Sequence, residues 1–318
     1  MRGKFHLFGL LATLSLAGCN RHQSALAPFG VEASSTRDLT IVLLVGAVVI
    51  AVGMSLLIRH AIRTPGERLT HHQGMKLVLW AGGVVPTILL FTLLVTSLPA
   101  MRPLPTTRAE LTIDVEGEQF WWRVAYRPLN AAPVVSANEV RVPVGRTVAL
   151  KLMGGDVIHS FWIPGLAGKM DMIPGRTNTL VVRATKPGRF RGVCTEFCGL
   201  SHALMAFDVV ALEPAAFDRW LTAEAKPAAG GNALFAQYGC GGCHAIRGTG
   251  EAGAIGPDLT HFGARQTLAA GVLPITTANV AGFIRHPEKT KPGVRMPAFD
   301  HMPPADAVAL ARYLQGLK

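Results

Sequence analysis

The chain has 318 residues, 49% of them hydrophobic, with a formal net charge of +11 and a mean hydropathy of +0.32. That length has room for two modest domains plus membrane segments, and the composition is more apolar than a wholly soluble chain would carry. Lys and Arg are scattered, some of them where a cytoplasmic loop and lipid headgroups would take them, which argues against a nucleic-acid partner.

Met1 to Ala17 carries Arg2 and Lys4 ahead of an apolar run to Leu16. The run is too short to span a bilayer, so residues 1–18 read as a secretory signal. Leu16-Ala17-Gly18-Cys19 resembles a bacterial lipobox, which would leave a lipid on Cys19; the alternative is an ordinary signal with an incidental cysteine. Leu39 to Ile58 and Leu77 to Leu98 are each about twenty apolar residues without a charge, the length a hydrocarbon core requires. They predict a transmembrane helical hairpin over 39–98. Its loop holds Arg59, Arg63, Arg68 and Lys76 against Glu67, so the loop is expected in the cytoplasm and both chain ends outside. Gly82, Gly83 and Pro86 mark a helix irregularity or a place where another subunit's helix packs closely.

Short β-rich runs follow at Leu111 to Val115, Thr147 to Met153, Thr179 to Arg183 and Phe207 to Leu212, punctuated by Pro143, Gly145, Pro174, Gly175, Pro187 and Gly188. That rhythm predicts an all-β sandwich, with a ligand-bearing loop joining two strands at one end. The loop is Cys194-Thr195-Glu196-Phe197-Cys198-Gly199-Leu200-Ser201-His202-Ala203-Leu204-Met205, and Asp156-Val157-Ile158-His159-Ser160-Phe161-Trp162 offers a second imidazole. Thiolate, imidazole and a weak thioether or carbonyl favour copper poised for electron transfer. Two cysteines four residues apart allow both sulfurs to bridge two coppers, with His159 on one and His202 on the other. Met205 and the backbone carbonyl of Glu196 are then the weak outer ligands. A zinc site or a disulfide is the plainer reading of the cysteine pair, but it leaves the added His and Met without a role.

Thr222 to Asn232 is small and poor in apolar residues, as an interdomain linker is. Beyond it, Cys240-Gly241-Gly242-Cys243-His244 is the attachment signature of haem c: two thioethers hold the porphyrin and His244 is an axial ligand. The five cysteines thus divide into Cys19, the copper pair and the haem pair, leaving none for a structural disulfide. Met296 in Arg295-Met296-Pro297 is the expected sixth ligand, with Met302 as its rival. Ala307, Val308, Leu310, Ala311, Leu314 and Leu317 give the C-terminus an amphipathic helical pattern.

The stretches Asp156 to Pro164, Lys169 to Arg176 and Cys194 to Met205 resemble the binuclear-copper domain of cytochrome c oxidase subunit II, and the resemblance covers residues from about Leu39 to Leu221. It implies a cupredoxin-like Greek-key sandwich over 100–221. Gly256-Pro257-Asp258-Leu259 resembles the loop of small class I cytochromes c whose carbonyl steadies the haem-binding His, so residues 233–318 look like a fused all-α cytochrome c domain.

The same resemblance gives Gln119-Phe120-Trp121-Trp122-Arg123-Val124-Ala125-Tyr126 a role in receiving electrons. Relatives often carry the docking Trp where Phe120 stands here. Trp121 is therefore the expected exposed electron-accepting residue, while Trp122 and Tyr126 also suit core packing. The side chain of Glu196 is implied as a magnesium ligand at the boundary with subunit I. Relatives' proton-feeding Glu near the start of the second span has no counterpart in Lys76 to Trp80.

The resulting expectation is subunit II of a bacterial haem–copper oxidase in the inner membrane, with the copper and haem domains on the periplasmic side. Its partners would be subunits I and III, membrane lipid, and either cytochrome c or a quinol–cytochrome c reductase as donor. Electrons would pass from haem c to binuclear copper and on to subunit I, with the linker setting the effective donor concentration. The haem domain has eight Lys and Arg against five acids, so overall charge would not steer a strongly basic donor to it. The alternatives are the small subunit of a copper-containing nitric oxide reductase and, from another class, a copper-delivery chaperone. The chaperone reading places its His far downstream of the cysteine pair, unlike His202.

Overall fold

The computed structural model describes residues 22–63, 70–102, 104–129, 131–228 and 230–318. The expected leader, Cys19, and the loop residues Glu67 and Arg68 lie outside the described residues. The chain divides into two compact units, Ser34–Pro103 and the remainder.

In the first unit, helix α1 (Val31–Arg63) and helix α2 (His71–Ser97) have 33 and 27 residues, both long and apolar enough to cross a membrane. Their large apolar side chains, Val48, Leu56, Ile88 and Phe91 among them, are exposed, as lipid-facing side chains would be. Within α2 the backbone widens to π-helical hydrogen bonding over Val78–Val84. Pro86 has no N–H and its ring crowds the carbonyl of Gly82, so the turn before it loosens. The helix irregularity expected at Gly82, Gly83 and Pro86 is thus found.

The second unit begins with a segment the sequence did not mark. Phe29 is fully buried against Phe190, and the backbone N–H groups of Phe29 and Gly30 both donate to Gly165 O. The chain is stitched to the β-domain before α1 starts.

That domain is the predicted sandwich. The strands are β1 (Leu111–Glu118), β2 (Trp121–Arg127), β3 (Val134–Ala137), β4 (Glu139–Pro143), β5 (Val148–Gly154), β6 (His159–Trp162), β7 (Met170–Met172), β8 (Asn178–Val182), β9 (Gly188–Cys194) and β10 (Ala206–Leu212). They form sheets ordered β3-β2-β1-β5-β8 and β4-β10-β9-β6-β7. Alternation along β1, with Leu111, Ile113 and Val115 buried and the residues between half-buried, is the period-2 pattern of a strand with one face in a core. The β1–β5 and β4–β10 pairs are parallel and the rest antiparallel, so the chain crosses between sheets as a Greek key does. Trp122 and Tyr126 are fully buried, and Trp122 packs edge-on against Phe161 and Phe207. The core reading of both aromatics holds.

Helix α3 (Pro214–Glu224) follows, so residues 222–224 of the expected linker close a helix. The rest is tied to the haem domain: Ala228 N donates to Arg247 O, Arg247 Nη2 to Glu224 O, and His261 Nε2 lies 3.0 Å from Lys226 O. The haem domain comprises α4 (Ala233–Gln237), a small β11–β12 hairpin (Thr267–Leu268 and Leu273–Pro274), α5 (Thr277–Arg285), α6 (Pro287–Thr290) and α7 (Pro304–Gly316). Ala307, Leu310, Ala311 and Leu314 are buried on α7, as the amphipathic pattern predicts.

Candidate metal centre and haem site

Sheet order puts β6 beside β9, with Phe161 opposite Cys194, so His159 at the start of β6 comes next to the loop that leaves β9. Cys194 N donates to Met205 O, closing that loop at its base, and Thr195 N donates to Ser160 O. The two sulfurs then lie 4.0 Å apart. His159 Nδ1 is 3.9 Å from Cys194 Sγ, and His202 Nδ1 is 3.7 Å from Cys198 Sγ. Met205 Sδ is 3.8 Å from Cys198 Sγ, and Glu196 O is 3.3 Å from Cys194 Sγ. All six sequence-predicted donors are brought together, and both cysteines, His159 and Met205 are buried. The donor atoms of His159, Cys194 and Cys198 lie within 4.8 Å of one another. The mainly soft and borderline donor set, four of its six members buried, fits the copper pair.

The groups behind the donors prepare them. His159 Nε2 lies 2.9 Å from Asp156 Oδ1, so the ring turns its Nδ1 toward the sulfurs. Gln119 Nε2 donates to Cys198 O at 2.5 Å. Gly199 has φ +127°, and a Cβ there would stand 3.0 Å from Gln119 and 3.1 Å from Phe120, so the loop needs glycine at this point. The Cys198 sulfur, against burial and with help from the His159 ring, draws the Cys194 thiol well below the ordinary thiol range, which favours the thiolate a metal requires. Asp156 and Gln119 were given no role by the sequence reading. A carboxylate three residues before a ligating His was the available signal.

Glu196 is exposed, and its carbonyl rather than its carboxylate faces the sulfurs.

In the haem domain, Cys240, Cys243 and His244 line a largely apolar cavity with Met296 on its wall. His244 Nδ1–H donates to Pro257 O at 2.8 Å, leaving Nε2 with a free lone pair. Burial holds the imidazole below its ordinary pKa, which keeps that nitrogen unprotonated. Paired cysteines, an oriented imidazole and an apolar cavity fit haem c. Met302 is 1% exposed in the domain's core and does not line the cavity.

The same cavity is walled by Phe120 and Trp121 of the β-sandwich. Phe120 is 3% exposed and Trp121 half-buried, with Arg123 stacked 4.8 Å from its ring centre. Trp121, expected to be exposed, is half-buried in the wall of a cavity it shares with the C-terminal domain. Docking is polar as well as apolar. Lys291, 2% exposed, donates to Phe120 O and Ala269 O; Ser201 Oγ donates to Pro292 O at 2.7 Å; Arg295 Nη2 lies 2.9 Å from Asp156 Oδ2.

Residues 131–212 match the family described as cytochrome c oxidase subunit II, periplasmic domain, and residues 228–318 match the cytochrome c family. The chain is 36% identical to a cytochrome c oxidase subunit 2 of Alkalihalophilus pseudofirmus, covering 96% of this chain and 94% of that one. It is 31% identical to the Bacillus subtilis cytochrome c oxidase subunit 2, covering 97% and 96%. Among solved structures, the periplasmic domain of cytochrome oxidase subunit II from Bradyrhizobium japonicum is 34% identical over 36% of this chain and 94% of that one, with a TM-score of 0.35.

Proposed function

The chain belongs to the cytochrome c oxidase subunit II family, and on that premise we propose that it takes electrons at a haem c in its C-terminal domain and hands them through a binuclear copper centre to haem in subunit I. Once bound, haem and the copper pair supply the one-electron carriers; oxygen reduction, with the proton translocation coupled to it, belongs to the partner. The observation that carries this reading is the meeting of five soft or borderline donors and one carbonyl on one loop and one strand, with Phe120 packed between that loop and the cavity that holds the Cys-x2-Cys-His motif.

Each residue has a definable task. Cys194, Cys198, His159 and His202 would hold the copper pair, with Met205 and the Glu196 carbonyl as weaker donors. Holding these donors in a buried, hydrogen-bonded frame keeps the geometry constant as charge changes, which is what fast electron transfer requires. Cys240 and Cys243 would attach the haem and His244 and Met296 would hold its iron, the thioether raising the potential. Phe120 touches both the copper loop at Gly199 and the haem-side cavity, whose wall Trp121 also lines. The exposed Glu196 carboxylate serves a magnesium ion at the boundary with subunit I.

Two helices long and apolar enough to span support a multi-pass location in the bacterial inner membrane, with both domains on the periplasmic side, and the lipobox-like Leu16 to Cys19 supports a lipid on Cys19. Subunit III completes the assembly, and cytochrome c or a quinol–cytochrome c reductase is the donor. Full-length likeness to oxidase subunits 2 favours oxygen over nitric oxide and speaks against a chaperone.

The test is low-temperature electron paramagnetic resonance and the reduced-minus-oxidised optical spectrum of the full chain, matured with haem and loaded with copper. Copper hyperfine structure shared by two nuclei beside a low-spin c-type haem is expected. A single-nucleus signal from intact protein would overturn the binuclear site.

A further inference from the structure

Asp156 is a carboxylate with every acceptor position in use. Oδ1 takes the His159 Nε2–H at 2.9 Å and the Val157 N–H at 2.7 Å; Oδ2 takes the Gln119 N–H at 2.8 Å and Arg295 Nη2 at 2.9 Å. Its side chain is 11% exposed. Three of these donors come from the copper-bearing sandwich. The fourth crosses from the haem domain, 139 residues away in sequence, and it is the residue immediately before Met296.

The surrounding contacts follow the same line. Lys291 and Pro292 bond to Phe120 and Ser201, and Gly293 lies against Leu200, where a Cβ would come within 3.1 Å of the leucine. Residues 291–296 therefore run along the copper loop 198–202 and the 119–120 turn, with Arg295 as the ionic contact at the Met296 end.

We propose that Arg295 and Asp156 form a latch joining the haem-ligand segment to copper ligand His159, so that docking of the haem domain and the orientation of that imidazole are set together. The inference rests on the function proposed above and goes beyond it by naming two positioning residues and a docked, rather than loosely tethered, haem domain. A carboxylate on the far nitrogen of a ligating His fixes the ring and makes it a richer donor. Pairing that carboxylate with Arg295 moderates its negative charge at the copper centre and ties the moderation to the domain contact. The transfer it serves is a single electron: the haem group is oxidised, the copper pair reduced, and no covalent bond is made or broken. A cation at this distance favours the reduced copper pair less than a cation in contact would, yet its removal leaves Asp156 unopposed and favours the oxidised pair.

The experiment compares wild type, Arg295→Gln and Arg295→Lys in the full chain assembled with its partner oxidase subunits. Arg295 is 55% exposed, so neither substitution opens the core. Three quantities are read: the rate of electron transfer from haem c to copper after flash reduction, the copper midpoint potential, and amide hydrogen exchange over 198–202 and 291–296. For Arg295→Gln the expectation is a rate about tenfold slower, the size typical of losing such support to a ligand, with the copper potential shifted downward and exchange faster in both segments. Arg295→Lys should recover part of each. Wild-type rate, potential and exchange in Arg295→Gln would overturn the latch while leaving the proposed function intact. Absence of a two-nucleus copper signal in the wild type would instead remove the proposed function, and the latch with it.

Discussion

His244 donates its Nδ1–H to the carbonyl oxygen of Pro257 at 2.8 Å, so the ring that would hold haem iron is aimed by a loop thirteen residues downstream. The loop can come that close because its preceding residue is glycine. A Cβ on Gly256 would stand 2.6 Å from His244 Cε1, inside any real contact distance.

Gly256→Ala should therefore displace either the ring or the loop, at a cost of about 1–3 kcal/mol for overpacking. The expected result is less covalently attached haem per chain and a weakened low-spin spectrum, measured by the haem-to-protein absorbance ratio of purified protein. An unchanged ratio and spectrum would mean that the loop does not position the ring.

Met296 and Met302 separate by location. Met296→Leu should remove the axial thioether, giving a lower haem potential and a changed optical spectrum in the oxidised protein. Met302 is packed in the core, so Met302→Leu keeps volume and polarity and should cost less than about 1.5 kcal/mol while leaving the spectrum alone. Redox titration of the two variants checks the assignment, and a reversed pattern would exchange the two roles.

Beneath the copper loop, Gly192 on β9 faces Phe207 on β10 across the antiparallel pair. The Phe207 ring fills the space a side chain at 192 would need, and that ring stacks on Phe161 with centroids 4.5 Å apart. Gly192→Ala should thus destabilise the β-domain by about 1–3 kcal/mol. Phe161 neighbours Ser160 and His159, so copper retention should fall as well. Chemical denaturation followed by tryptophan fluorescence, with copper content measured in parallel, tests both expectations.

Glu139 supplies a pH dependence away from either cofactor site. It is 5% exposed, and burial raises its pKa above the ordinary carboxylate value against the opposing effect of Arg141 and the Gln266 N–H. A raised folded-state pKa means that the folded protein holds the proton longer than the unfolded chain does. The contribution is fully present below the unfolded value of about 4.5 and is lost as pH rises through the folded value. Glu139→Gln keeps an acceptor for Gln266 N but cannot ionise, so its stability should fall less over that interval. Urea midpoints measured from about pH 4 to about pH 7 compare the slopes; identical slopes in the two proteins would rule Glu139 out as their source.

The candidate copper loop could be read from its own residues because its donors share one short run of chain, Cys194 to Met205, where spacing carries the chemistry. The Cys-x2-Cys-His motif could be read for the same reason, and the two apolar helices showed in their length. Strands such as β1 and β10 announced themselves through short β-rich runs bounded by Gly and Pro. All of these are local signals, fixed by backbone periodicity and by which side chains a few neighbouring residues can present.

What the amino-acid sequence determined by itself was therefore the set of modules and the chemistry each can hold. Tertiary structure alone decided how they meet. Phe29 enters a core built from residues more than eighty positions away, Trp121 is half-buried against the C-terminal domain, and Arg295 reaches Asp156. Each depends on two distant surfaces packing with matched shape and charge. No window of sequence contains both surfaces, so no periodicity or motif within one of them can report the contact.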